Sequence, residues 1–376
     1  MASNNSSSQP TVTPEYNDFS GVASGAGSAS SSSNPYDALI DAASGDVVGP
    51  PHAMHTPDPS NTHKQLQARY SAHREGRNAQ QKEKLLSSDF KGVSVDPILL
   101  RLERPDIEPG FRDTRHCLVF WARPPQKIKN LVAEVQRRVG SVVPNLWHMP
   151  PSSLHMTALE ITHSQPPEAI PPLIETLRPH LATITSYTST HRARLVKPLL
   201  SFDASALALS FLPAAGEGLV RRSSSPATHD NAGRPRSAED DAFSYHHLRR
   251  DLYDLASRAG VHVGSRYVVP SAHLTIARFI EARDFFVDGD EAKGVDGPRV
   301  QAFMRTVEEI NAWLKREFWP RDESNDDDDA ERDGEGSKGI RDGGEWVVGE
   351  GKGLDCRMGT LWYGGGGETV MLGEGF

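Results

Sequence analysis

The chain has little cysteine and no long apolar run, and each shortage excludes a class of protein. Of its 376 residues only Cys117 and Cys356 are cysteines, too few for a disulfide framework or for a structural zinc site built of cysteines. No apolar run approaches the length of a membrane-spanning helix, and the N-terminus lacks the basic start and apolar block of a secretory signal. We therefore expect a soluble protein of the cytoplasm or the nucleus that does not associate with membranes.

Apolar residues are also few, and the polar excess is concentrated in particular segments. Hydrophobic residues make up 37% of the chain, which is low for a fully globular protein. Residues 1–85 show no periodic apolar face, so we expect a disordered N-terminal arm, whose partners the sequence does not reveal. Residues 86–376 are expected to form the folded domain, with flexible surface inserts near residues 216–241 and 320–344.

The net charge of −9 would repel a nucleic-acid backbone if it were spread evenly along the chain. It is not, because Asp326 to Asp329 and their acidic neighbours lie together in the second of the two inserts. The charge therefore says little about the substrate.

Periodic apolar residues predict alternating strands and helices in the folded domain. Strands are expected at residues 115–121, 153–161, 206–212, 267–279, 346–348, 359–363 and 369–372, and amphipathic helices at 126–139, 167–184, 245–259 and 300–318. This alternation, with its approximate internal duplication, indicates an α+β or α/β architecture with two sheet lobes.

Two of the expected strands carry nearly identical motifs. Ser153 to Thr157 and Ser271 to Thr275 both read Ser, apolar, His, apolar, Thr, and each follows a proline-bounded turn. Residues i and i+2 of a strand project from one face, so that His155 shares its face with Thr157, and His273 with Thr275. Either motif alone is equally compatible with a half-buried strand histidine that bonds to local backbone. The matched pair favours two histidines that face each other across a cleft.

The two motifs resemble the signature of the two-histidine (2H) phosphoesterase superfamily, the LigT-like RNA ligases and cyclic nucleotide phosphodiesterases. The second motif is similar to the family's longer form, His-x-Thr-x-x-Arg, with Arg278 as its last residue. The first departs from the commonest form after its Thr, where it reads Ala158-Leu159-Glu160. The resemblance covers roughly residues 85–376 apart from the inserts. It implies a bilobal α+β domain of duplicated strand-helix repeats, with two antiparallel-type sheets around a central groove.

The resemblance also implies a chemistry, the metal-independent opening of a 2′,3′-cyclic phosphate. His155 and His273 would be the catalytic pair, since imidazoles titrate near neutral pH and one can act as base while the other acts as acid. The hydroxyls of Thr157 and Thr275 would bind the non-bridging phosphate oxygens as negative charge develops. Neither a metal nor another cofactor is expected, and the sequence does not assign the base and the acid.

Arg278 is the third substrate-binding candidate, because a guanidinium suits a planar pair of phosphate oxygens. Strict strand alternation, however, puts position 278 on the face opposite His273. Either a β-bulge turns Arg278 toward the histidine, or it is an ordinary exposed charge.

Other candidate residues are explained more simply by structural than by functional roles. His163 stands near the expected end of its strand, and the cluster of His52, His55, His63 and His73 falls in the arm, where we expect no metal site. Aromatic residues near the groove are candidates for stacking a nucleobase, although core packing is the commoner fate of strand aromatics. These residues are Trp147, Phe279, Trp362 and Tyr363.

Three functions fit the sequence. The first is a phosphodiesterase that hydrolyses a 2′,3′-cyclic phosphate or a 2′-5′ phosphodiester of RNA or a nucleotide, acting as a monomer on an RNA end or a cyclic nucleotide. The second is the reverse reaction, 2′-5′ RNA ligation. The third is a non-catalytic nucleotide-binding or scaffold protein that uses the same groove. The intact pair of His and Thr residues favours an enzyme.

Overall fold

The computed structural model describes residues 34–44, 59–219, 229, 234–264, 268–320 and 340–376. Eight α-helices lie in these segments: α1 (Asp37–Ser44), α2 (Pro59–Leu86), α3 (Pro97–Glu103), α4 (Gln126–Gly140), α5 (Ile170–Leu177), α6 (Leu181–Thr185), α7 (Tyr245–Arg258) and α8 (Gly297–Phe318). Short 3₁₀ turns supplement them. One precedes α5 and another separates α5 from α6, where the sequence predicted one continuous helix.

Nine strands complete the secondary structure of the described segments: β1 (His116–Ala122), β2 (Leu146–His148), β3 (Met156–Gln165), β4 (Arg194–Phe202), β5 (Ala206–Pro213), β6 (Ala272–Phe279), β7 (Glu345–Val347), β8 (Asp355–Gly359) and β9 (Gly367–Leu372). They form two sheets, which we call sheet 1, in the order β3-β1-β8-β9, and sheet 2, in the order β2-β6-β5-β4-β7. All neighbouring strands are antiparallel. The prediction of an α+β fold with two antiparallel sheets is confirmed.

The predicted amphipathic helices pack on the sheets through their apolar stripes. In α4 the buried residues include Ile128, Leu131, Val135 and Val139, the three- and four-residue spacing of one helical face. α8 begins where the side chain of Asp296 accepts a hydrogen bond from the backbone amide of Arg299, which caps the helix. The two helices contact each other, and α8 covers β4.

The chain does not divide its sheets into an N-terminal and a C-terminal half. β2 precedes the first histidine motif but pairs with β6 in sheet 2. The late strand β8 returns to pair with β1 in sheet 1, and β9 pairs with β8. Each sheet therefore contains strands from both ends of the folded region, although the two histidine motifs still lie in different sheets.

The prediction of a disordered arm over residues 1–85 is wrong for two of its segments. α1 forms one of them, and α2 extends over 28 residues to Leu86. Three apolar side chains of α2, Leu66, Tyr70 and Leu85, are almost completely buried. The polar composition that suggested disorder belongs to a helix that docks through few apolar contacts. Residues 1–33 and 45–58 lie outside the described part of the chain.

Parts of the two predicted flexible inserts also belong to the described structure. Within residues 216–241, Asp241 is buried and forms a bidentate ion pair with the buried Arg194, at 2.5 and 3.0 Å, while Arg236 joins the same carboxylate. The C-terminal end of the first insert is therefore part of the folded body. In the second insert, residues 340–344 lead into β7, and residues 321–339 lie outside the described segments.

None of the helices in the described part of the chain combines the length and apolar character that a membrane crossing requires.

Candidate functional site

The two histidine motifs lie at the starts of β3, the edge strand of sheet 1, and of β6, which pairs with both β2 and β5 in sheet 2. His155 lies immediately before β3, and His273 is the second residue of β6. Met156 and Leu274, which separate each His from its Thr, are buried in the main hydrophobic core. The histidines and the threonines are only partly buried. The strand alternation that the sequence predicted is therefore present in both motifs.

Both strands also carry a β-bulge directly after the motif threonine. In β3, Thr157 pairs with Trp121 and Leu159 pairs with Phe120, so that Ala158 has no partner of its own. In β6, Thr275 pairs with Ala208 and Ala277 pairs with Leu207, and Ile276 is the extra residue. An extra residue reverses the alternation beyond it. The strand residue three places after each threonine thereby returns to the face of the histidine.

This bulge decides between the two alternatives for Arg278. The reversal at Ile276 turns Arg278 to the face of His273 and Thr275, and the guanidinium is mostly buried. Its Nη1 lies 3.6 Å from Oδ2 of Asp96, and its centre lies 5.6 Å from the centroid of the Tyr363 ring. Arg278 is not an ordinary exposed charge. The equivalent residue of β3 is the buried Glu160.

Asp96 links the start of α3 to this arginine. Its Oδ1 accepts hydrogen bonds from the backbone amides of Ile98 and Leu99, which caps α3, and a third from the hydroxyl of Tyr363 at 2.8 Å. A carboxylate so strongly hydrogen-bonded holds its position. It therefore fixes where the Arg278 guanidinium can reach.

Each imidazole is held at Nδ1 by the serine two residues before it. His155 Nδ1 lies 2.7 Å from the carbonyl oxygen of Ser153, which can only accept, so Nδ1 carries the proton. His273 Nδ1 lies 2.9 Å from the hydroxyl of Ser271, which can donate or accept. The serines of the two motifs thus orient the rings, one through its backbone and the other through its side chain.

The environment of His155 keeps its ring neutral. Desolvation is the largest cause that lowers its pKa to about 3, and the positive charges of Arg123, His273 and Arg278 lower it further. The second histidine and the arginine of β6 are thus among the charges that act on the His155 ring. Trp121 covers the ring from one side, with the ring centroids 3.8 Å apart and the planes at 17°.

A narrow pocket, lined by residues of both sheets, joins the two motifs. Thr157 of β3 and His273 of β6 both line it, together with Met156, Ser271, Val269 and Arg249. We call it the central pocket. His155 and Thr275 are not among its described lining residues, although each shares a strand face with a residue that is. The structure therefore brings side chains of both motifs to one site.

Arg249 is a residue of this pocket that the sequence analysis missed. It is 1% exposed, donates from Nη1 to the carbonyl of Val269 at 2.9 Å and from Nη2 to the hydroxyl of Tyr36 at 3.2 Å. Its Nε has no hydrogen-bond partner among the described residues. The signal was available, because position 249 falls on the buried stripe of α7 with Tyr245 and Leu252, where a charged residue is unusual.

The remaining candidates lie beside Arg278, as Tyr363 does, inside the core or toward the far end of β3. Phe279 is fully buried and packs edge to face with Phe285 and Phe303, so core packing accounts for it. Trp147 packs on Tyr363, and Trp362 packs on His163. His163 Nδ1 bonds the hydroxyl of Ser164 at the far end of β3.

No group of three or more metal-ligating side chains is present among the described residues. Of the four histidines in the predicted arm, His63 and His73 belong to α2, and His52 and His55 lie outside the described segments. The thiols are unreactive by position, since burial raises the pKa of Cys117 to about 11 and that of Cys356 to about 12.

Comparison with known proteins adds nothing to this geometry. No protein-family model matches the chain, and no curated protein sequence matches it.

Proposed function

We propose that this protein is a phosphodiesterase that opens a 2′,3′-cyclic phosphate, or cleaves a 2′-5′ phosphodiester, of RNA or a nucleotide. One observation carries the proposal, the matched construction of the two motifs. Each has a histidine fixed at Nδ1 and a threonine two residues later, followed by a bulge, and the motifs meet at the central pocket. Two oriented imidazoles on opposite sides of one phosphate are what general acid–base catalysis of this reaction requires.

His155 is the general base in this proposal. Its Nδ1 proton is committed to the carbonyl of Ser153, so that a neutral ring presents the lone pair of Nε2. The low pKa of His155 keeps the ring in this form at neutral pH. An anionic phosphate bound nearby would raise that pKa, because an opposite charge stabilises the imidazolium. The base would thus strengthen when substrate binds.

His273 is then the general acid. A protonated His273 donates from Nδ1 to the Ser271 hydroxyl and from Nε2 to the leaving ribose oxygen. Water attacks phosphorus as His155 takes its proton, the bond from phosphorus to one ribose oxygen breaks, and His273 protonates that oxygen. The hydroxyls of Thr157 and Thr275 and the guanidinium of Arg278 stabilise the negative charge on the non-bridging oxygens.

The experiment is a substrate panel assayed in the presence of a chelator. Nucleoside 2′,3′-cyclic phosphates, RNA ends with a cyclic phosphate and 2′-5′ oligonucleotides are offered to the full-length protein. We expect turnover of at least one class without added metal. His155→Ala and His273→Ala should each lower kcat by at least ~100-fold, the lower range for the loss of a general acid or base.

The control is His180→Ala, because His180 is an exposed histidine at a helix end and should leave kcat unchanged. Activity that disappears with the chelator would contradict a metal-independent mechanism. Activity that survives both catalytic substitutions would contradict the two-histidine mechanism itself.

A further inference from the structure

α2 lies along sheet 2 beside the second histidine motif. Three polar side chains of this helix donate to backbone carbonyls of β4 and β5. Gln67 reaches Pro213 at 2.7 Å, Arg74 reaches Lys197 at 2.8 Å, and Asn78 reaches Leu200 at 3.2 Å. The helix therefore follows the hairpin of β4 and β5, and it shares the wall of a pocket with the first residues of β6.

A second pocket opens where α2 passes β6. It encloses about 430 Å³ including its mouth. α2 contributes His73, Arg74 and Arg77 to its wall, and the sheet contributes Ser201, Ser210 and His273. We call it the α2 pocket. No carboxylate is among its described lining residues, and its wall consists of basic, hydroxyl, amide and apolar groups.

His273 belongs to both pockets. It lines the central pocket together with Thr157, and it lines the α2 pocket together with Arg74. A group bound in the α2 pocket would therefore lie within one nucleotide of a phosphate bound between the histidines.

Arg74 is the strongest sign that the α2 pocket receives an anion. The residue is 5% exposed, and only its Nη1 has hydrogen-bond acceptors, the carbonyls of Lys197 and Ser210. Its Nε and Nη2 are buried without a partner among the described residues, as is Nε2 of His73. Buried donors without acceptors are rare in proteins because their desolvation is not compensated. Burial also lowers the pKa of Arg74 to about 9, a cost that a bound anion would relieve.

We propose that the α2 pocket binds a second phosphate of the substrate, through Arg74, Arg77 and His73. The inference rests on the proposed phosphodiesterase function and narrows its substrate to molecules that carry a phosphate besides the cyclic one. Guanidinium groups bind phosphate oxygens through paired, charge-assisted hydrogen bonds, and serine hydroxyls complete such a site. The second phosphate is either the 5′-phosphate of the same nucleotide or the internucleotide phosphate of an RNA end.

The test compares three substrates that share one base: a nucleoside 2′,3′-cyclic phosphate, the same compound with a 5′-phosphate, and a dinucleotide that ends in the cyclic phosphate. We expect kcat/KM for at least one of the two larger substrates to exceed that of the simple cyclic phosphate by about tenfold or more. The 5′-phosphate and the dinucleotide arms distinguish the two sources of the second phosphate.

Arg77→Gln is the informative variant. Arg77 lines the pocket, and its side chain makes no hydrogen bond to another described residue, so the substitution should not disturb the fold. Arg77→Gln should lower the ratio of kcat/KM for the preferred larger substrate to kcat/KM for the simple cyclic phosphate at least about tenfold. Arg74→Gln should do the same if it remains folded, which a melting curve checks. The matched control is Arg305→Gln, which removes an exposed arginine from α8 and should preserve the ratio.

A binding measurement separates this proposal from the proposed function. A nucleoside 3′,5′-bisphosphate and the corresponding 3′-monophosphate are titrated calorimetrically into wild type, Arg77→Gln and Arg305→Gln. If no cyclic phosphate is turned over but the bisphosphate binds about tenfold more tightly than the monophosphate, and Arg77→Gln removes that preference, the pocket is supported and the phosphodiesterase is not.

If the wild type turns over all three substrates with nearly equal kcat/KM, the second-phosphate site is overturned, and the proposed phosphodiesterase function is still supported. A ratio that Arg77→Gln and Arg305→Gln lower equally would also overturn it, because the effect would then come from net charge alone.

Discussion

The two histidine strands are alike in backbone and different in surroundings. Each strand has a histidine held at Nδ1 at or next to its start, and each has a bulge after the threonine. Around His155, however, Trp121 stacks on the ring, and Arg123 lies over that indole at 4.7 Å. Around His273 there is a serine hydroxyl and the walls of two pockets. The shared backbone gives the two imidazoles the same local construction, and their unequal surroundings explain why they would act differently in the proposed mechanism.

The difference between the two strands continues beyond the threonines. The bulges return Glu160 of β3 and Arg278 of β6 to the site-facing side of their sheets, so that one strand contributes a carboxylate and the other a guanidinium. Only the cationic member suits an anionic substrate. We infer that the β6 side of the site makes more of the contacts to phosphate.

The largest expected effect tests the assignment of base and acid. A phosphodiester with a 4-nitrophenyl leaving group needs no proton on the departing oxygen. On such a substrate the loss caused by His273→Ala should shrink from ~100-fold to less than about 10-fold, because the acid is no longer needed. The loss caused by His155→Ala should stay near ~100-fold. Initial rates of the three proteins on both substrates provide the measurement.

Equal reductions in rate for His155→Ala and His273→Ala on the nitrophenyl substrate would contradict the assignment of one base and one acid. A larger rescue of His155→Ala than of His273→Ala would reverse the two roles.

The second prediction concerns stability at low pH. Burial lowers the pKa of His155 to about 3, and burial with the charge of Arg249 lowers that of His246 to about 3 as well. Between pH 6.5 and about 3 these histidines are protonated in the unfolded chain but stay neutral in the folded one. Because the unfolded state binds more protons, the free energy of unfolding falls as the pH falls. Each histidine contributes a slope of at most about 1.4 kcal/mol per pH unit.

Urea unfolding of wild type and His155→Asn between pH 7 and pH 4.5 measures this slope. In the variant the slope of the free energy of unfolding against pH should be smaller by up to about 1.4 kcal/mol per pH unit. His180→Asn, which alters an exposed histidine, should keep the wild-type slope. An unchanged slope in His155→Asn would show that the His155 ring is not desolvated.

The smallest expected effect distinguishes the two serines. Ser271→Ala removes the hydroxyl that orients His273 and should lower kcat about fivefold, which corresponds to a hydrogen bond of ~1 kcal/mol. Ser153→Ala should have no effect, because His155 bonds the backbone carbonyl of that residue. Ser271→Thr keeps a hydroxyl and should restore most of the rate. An equal loss in Ser153→Ala and Ser271→Ala would contradict this comparison.

The sequence predicted the motifs, the strands that carry them and the alternation of His and Thr, because these follow from the two-residue period of a strand. It could not choose between the alternatives for Arg278. The bulge at Ile276 depends on the register of β6 against β5, which pairs residues far apart in the chain. Arg249 was missed although its place in the apolar stripe of α7 was visible in the sequence.

α2 was mistaken for part of a disordered arm for a different reason. Composition measures how much apolar surface a segment can bury, and α2 buries little. Part of its attachment comes from Gln67, Arg74 and Asn78, whose side chains donate to the backbone of the β4-β5 hairpin. Hydrogen bonds of this kind have no periodic signature, so they become visible only once the partner strands are placed.

The strand order of sheet 1 has a consequence for how the protein is made. β1 pairs with β3 early in the chain, but its other edge is closed only by β8, which is synthesised much later. Until then a nascent chain exposes the backbone edge of an apolar strand, a surface prone to pair with other chains. Truncation ahead of β8 should therefore produce aggregates rather than a half-active fragment.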